Sequence, residues 1–118
     1  MDDLASNWIN ATIAQIDDKE LTEKQNDSIV ELLEICTDNP SKAFRIICQI
    51  LSTNPNKKVL GCLGAGPLED LLVQHCDYIE KSIEEAVSTK LLRDCLEYVN
   101  MDPEDCPNAQ KLYDFLKE

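Results

Sequence analysis

Apolar residues recur along this chain every three or four positions, the spacing of helices with one buried face, and strand-like alternation is not sustained over any stretch. The first run predicts a helix over residues 3–16, with Leu4, Trp8, Ala11, Ile9, Ile13 and Ile16 forming a broad apolar side. Thr22-Glu23-Lys24-Gln25 has the form of a capping box and predicts a second helix to about residue 37. Asn39-Pro40 supplies an N-cap and a first-turn proline for a third, whose Ala43, Phe44, Ile47, Ile50 and Leu51 turn inward. A short fourth helix over 57–63 is expected to end at Gly64. Gly66-Pro67 opens a fifth that carries Leu68, Leu71, Leu72 and His75. A sixth spans about 77–87, and Ser88-Thr89 caps a seventh over 90–100. After the polar segment 102–107, a last helix holds Leu112, Tyr113 and Leu116. Short links between amphipathic helices predict an all-α fold, a single-domain array of short antiparallel helical hairpins over residues 1–118.

Only three glycines occur, at 61, 64 and 66. With Pro67 they resemble a phosphate loop, yet no strand precedes them and no Lys-Ser/Thr pair follows. Pro67 lacks an N–H, and Glu69 and Asp70 place negative charge where an anion would sit. Close packing at Gly61 and a left-handed C-cap at Gly64 account for them better.

Charge changes the picture more than composition does. The 118 residues carry 11 basic and 23 acidic side chains, a net charge of -12, with 43% apolar residues, enough for a packed core. That excess disfavours direct nucleic-acid or membrane binding and suits a basic protein partner, such as a nuclease or another nucleic-acid-binding protein. Its distribution is uneven. Residues 1–40 hold ten acids and two lysines, whereas 41–66 hold Lys42, Arg45, Lys57 and Lys58 and no acid. At about 100° per residue, Glu23, Asp27, Glu31, Glu34 and Asp38 fall within an arc of roughly 80° on the second helix. Like charges three and four apart cost about 0.2–0.5 kcal/mol per pair, so helix stability alone would not select this stripe. It reads either as a solvated face, partly neutralised by Lys42 and Arg45, or as a docking surface for a cationic protein.

Six cysteines, at 36, 48, 62, 76, 95 and 106, show no zinc-type spacing. The opening Met1-Asp2-Asp3-Leu4 lacks the basic and apolar regions of a secretory signal, and no apolar run is long enough to span a membrane. Together these give the expectation of a cytoplasmic protein with reduced, mostly buried thiols, Cys36, Cys48 and Cys95 lying among apolar positions. No metal site or cofactor is implied. Glu69, Asp70 and His75 are the one local set that resembles acid–base equipment. Five residues separate Asp70 from His75, a poor fit to one helical face, and a thiol such as Cys62 would have to approach His75 to act as a nucleophile.

Pro40-Ser41-Lys42-Ala43-Phe44-Arg45-Ile46-Ile47, with Leu63-Gly64-Ala65-Gly66-Pro67-Leu68-Glu69-Asp70-Leu71-Leu72, resembles a bacterial family known as domain of unknown function 6869, whose hallmark is a glycine-proline-leucine-glutamate-aspartate-leucine-leucine run. The resemblance continues through His75, Ile79, Ile83, Glu84 and Ala86 to Leu96 and so covers roughly residues 40–100. Cys76, where the family often has glycine, and Tyr98-Val99-Asn100, in place of a more usual aromatic ending, depart from it. The resemblance implies a small helical domain, no established activity, and Glu69, Asp70 and His75 as the positions of interest.

The expected function is therefore that of a non-enzymatic, cytoplasmic acidic module that neutralises or tethers a basic protein, as bacterial toxin-immunity and inhibitor proteins do. A small enzyme using Glu69, Asp70 and His75, or a scaffold module of a larger assembly, is the alternative.

Overall fold

The computed structural model describes residues 3–104 and 106–118. Met1, Asp2 and Asp105, which belong to the opening segment and the polar connector discussed above, lie outside the described residues. Among the described residues eight α-helices follow in order: α1 Asp3–Ile16, α2 Glu23–Asp38, α3 Pro40–Ser52, α4 Lys57–Leu63, α5 Glu69–Gln74, α6 Tyr78–Ser88, α7 Lys90–Leu96 and α8 Ala109–Leu116. The described residues contain no strand, and the fold is all-α. Consecutive helices pack as pairs, α1 on α2, α2 on α3 and α6 on α7, while α4 bridges α1 and α7. Fully buried Leu32, Ile46, Ile47, Ile50, Leu63, Leu71, Leu72, Ile79, Leu92 and Leu96 form a single core between them.

The caps explain why the first helices begin where they do. Thr22 Oγ1 accepts from the Gln25 amide at 3.1 Å and Gln25 Oε1 accepts from the Thr22 amide at 3.0 Å, which completes the capping box. The Asn39 side chain caps α3 at the Lys42 amide, and Asn56 caps α4 at the Val59 amide. Asn54 takes φ 58° in the turn between them, a conformation Asn tolerates.

Several expectations are corrected. Gly64 is not a left-handed cap: its φ is -68°, and the chain runs on through a π-helical turn, Gly64–Leu68, directly into α5. A π turn bonds i to i+5, here Glu69 N–H to the Gly64 carbonyl, and so accommodates Pro67 inside a continuous helical path where a regular α-turn would clash. What Gly64 supplies is closeness, since a Cβ there would collide with the Cys95 carbonyl oxygen and come within 2.9 Å of Tyr98 Cβ. The Gly61 reading holds, with the Tyr98 ring 3.2 Å from where its Cβ would be.

The seventh helix stops at Leu96 rather than near residue 100. Tyr98 and Val99 donate to carbonyls three residues back, which tightens and ends the helix, and Thr89 starts it without a side-chain cap. Ile13 is turned outward on α1. Finally, the thiols are not all free. Cys76 and Cys106 form a disulfide, their Cα atoms 5.9 Å apart, because the connector after α7 folds back over the α5–α6 junction. Tyr113 fastens the same connector, its hydroxyl accepting from the Met101 amide and donating to the Met101 carbonyl.

Candidate functional site

Two sets of residues are candidates, and the fold treats them differently. On α2 the apolar positions Leu32 and Cys36 are fully buried against the core, which forces the opposite side of the helix outward. Glu23, Asp27, Glu31, Glu34 and Asp38 are all exposed along it. Among the described residues the ion pairs are Lys90–Asp94 and Glu80–Lys111, and none of the five stripe carboxylates joins an ion pair or a side-chain hydrogen bond. Lys42 and Arg45, on the next helix, form no ion pair with them.

Glu69 and Asp70 open α5, and His75, expected within that helix, is its C-cap; they are assigned to different tasks. Glu69 Oε1 accepts from the Asn100 amide at 2.7 Å and so fastens the segment after α7. His75 Nε2 lies 2.8 Å from the Thr37 carbonyl oxygen. A carbonyl can only accept, so Nε2 carries the proton and satisfies one of the open carbonyls at the end of α2. Asp70 follows Glu69 in the first turn of α5, inside the continuous helical path, where its charge acts on the Cys36 thiol. No hydrogen bond or ion pair joins the three among the described residues, so they do not form an acid–base constellation.

The thiols follow the same logic. Cys36 donates to the Pro67 carbonyl at 3.3 Å, and Cys95 to the Leu60 carbonyl at 3.6 Å, each serving backbone acceptors around the π turn. Burial pushes the Cys36 thiol up to about 12, with the Asp70 charge adding to it, and burial alone pushes Cys95 up to about 12. Both stay protonated at neutral pH and are poor nucleophiles. Cys48 is half-buried, and Cys62 is exposed. Cys62 does not meet His75; the two grooves it lines are built from α1, α2, α4, the π turn and Tyr98. Among the described residues no group of three or more His, Cys, Asp or Glu is placed to hold a metal ion.

The surface also holds features to which the sequence reading assigned no role. Val30 and Leu33 are exposed beside the acidic stripe, and Lys57 and Lys58 stand exposed in the first turn of α4. The lysines carried a legible signal, since cations at a helix N-terminus oppose the dipole just as like charges oppose each other on α2. Val30 and Leu33 carried none, because which flank of α2 faces α1 depends on the packing of the whole molecule.

The family described as "Family of unknown function (DUF6869)" matches residues 14–104, reaching further toward the N-terminus than residues 40–100. No curated protein and no solved structure matches the chain. Among the described residues no helix is long and apolar enough to cross a membrane.

Proposed function

Because the chain belongs to this family, whose description assigns no activity, its own surface has to supply the reading, and we propose that it is a binding module for a basic protein, docked on the outer face of α2. One observation carries this. Five carboxylates lie in one arc of one helix, exposed and in no ion pair among the described residues, at a cost to that helix. Such a field speeds encounter with a positively charged surface and selects against anionic ones. A nuclease or another nucleic-acid-binding protein presents the right complement, so neutralising a toxin or inhibiting an enzyme of that class is the specific form of the proposal. The module acts by occupying the partner's cationic face, and no step of catalysis is assigned to Glu69, Asp70 or His75, of which Glu69 and His75 each hold a backbone group.

We place this encounter in the cytoplasm. A reducing thiol pool would open Cys76–Cys106 there, and α2 holds neither half of that bond, so the docking face would persist.

The test uses the full chain as bait beside a variant with Glu23→Gln, Asp27→Asn, Glu31→Gln, Glu34→Gln and Asp38→Asn together. Circular dichroism checks that both fold alike. The expected result is a stoichiometric complex with a protein of positive net charge, weakened as salt rises from about 0.05 M to 0.3 M and absent for the variant. Binding that survives both salt and neutralisation overturns the proposal.

A further inference from the structure

We infer that this chain pairs with a second copy of itself, about a two-fold axis near Cys62, through the face where α1, α2, α4 and the π turn meet. An open groove of about 700 Å³ lies there, lined by Ile16, Gly61, Cys62, Ala65 and Tyr98, with Lys57 and Lys58 along its edge. Cys62 also lines a smaller depression with Ile29, Leu33 and Pro67, so the groove is continuous with the flank of α2. Apolar side chains on this face stand in water, Leu33 38% exposed and Tyr98 37%, and Val30, between Leu33 and the acidic stripe on α2, is 56% exposed. A contiguous apolar surface with a charged rim marks an interaction site.

The rim says what covers it. At one edge are two exposed lysines, neither in an ion pair among the described residues, at the already positive end of α4. They call for a helix that is apolar where it enters the groove and acidic beside it. The chain itself carries that helix at the other edge of the same face. On α2, Val30 has Asp27 three residues before it and Glu34 four residues after it, and Leu33 lies next to it on the groove side. Rotation by two-fold symmetry sets the α2 flank of one protomer along the groove of its partner, with Asp27 and Glu34 facing the lysines, and repeats the contact in reverse. Because both halves of the contact lie on one face, the pair closes on itself instead of growing into a filament. Glu31 and Asp38, on the far side of the stripe, stay outside this contact, so it does not rest on the basic-partner reading.

Sedimentation equilibrium of the full chain up to about 0.5 mM tests it, because two copies at -12 repel and a weak dimer is expected. The expected result is a mass that doubles with concentration, returned to that of the monomer by Val30→Glu and, separately, by Lys57→Glu with Lys58→Glu. All three side chains are exposed, and unchanged circular dichroism verifies that the variants fold. Maleimide labelling of Cys62, read by peptide mapping, should slow by about tenfold or more between dilute and concentrated protein. A monomer at the highest concentration overturns the inference. A dimer that leaves Cys62 freely labelled and withstands both variants overturns it as well, since that pair would be joined elsewhere.

Discussion

Glu69, at the start of α5, holds its carboxylate 2.7 Å from the Asn100 amide, whereas the carboxylate of Glu31, in the middle of α2, has no hydrogen-bond or ion-pair partner among the described residues. Both were conspicuous for their charge. The α5 cluster drew notice because an acid pair near a histidine suggests catalysis, and the fold spends those groups on backbone: Glu69 on the strap after α7, His75 on the end of α2. The α2 stripe reads from sequence either as solvated surface or as a docking face, and it is the set left without an internal task. A polar group's availability therefore depends on what else it already holds, which residue type and spacing alone do not reveal.

The largest test of that contrast concerns the strap beside α5. Cys76–Cys106 joins residues 30 apart, and closing a loop of that length is worth about 3–4 kcal/mol through the unfolded state. Cys76→Ser, or reduction of the native chain, should lower the denaturation midpoint by a corresponding amount, while α2 docking is unchanged. Next is Gly64→Ala, whose methyl meets backbone rather than a flexible side-chain end and should cost about 1–3 kcal/mol by equilibrium unfolding. Glu69→Ala should cost about 1 kcal/mol by leaving the Asn100 amide without its acceptor, and Glu69→Gln should recover most of it, since an amide oxygen still accepts. The smallest effect has the opposite sign. Glu31→Gln relieves repulsion from Asp27 and Glu34, so it should stabilise the free protein by about 0.5 kcal/mol at low salt, measured as a rise in melting temperature that fades with added salt.

Much of the fold was legible because its signals are local. The Thr22/Gln25 box, Asn39-Pro40 and the apolar phases of α1 and α3 act within one or two turns, and each helix begins as the pattern says. What escaped depends on distant parts of the chain. The pairing of Cys76 with Cys106 needs the connector to fold back, and the use of Gly64 needs α7 to lie across it. The exposure of the stripe followed from the burial of Leu32 and Cys36 and was readable; the tasks of Glu69 and His75 were not, since their partners Asn100 and Thr37 are 31 and 38 residues away.

The π turn sets the phase of everything after it. One surplus residue in a helical path advances the following segment by about 100°, so the side of α5 that carries Leu71 and Leu72 points inward only because the path is one residue longer than an unbroken α-helix would make it. Gly66, whose missing Cβ has open space around it, is the residue that could be removed with least steric consequence. Its deletion would rotate Glu69 off the Asn100 amide and His75 off the end of α2 in a single step, which makes this turn the alignment mark by which the two halves of the molecule are kept in register.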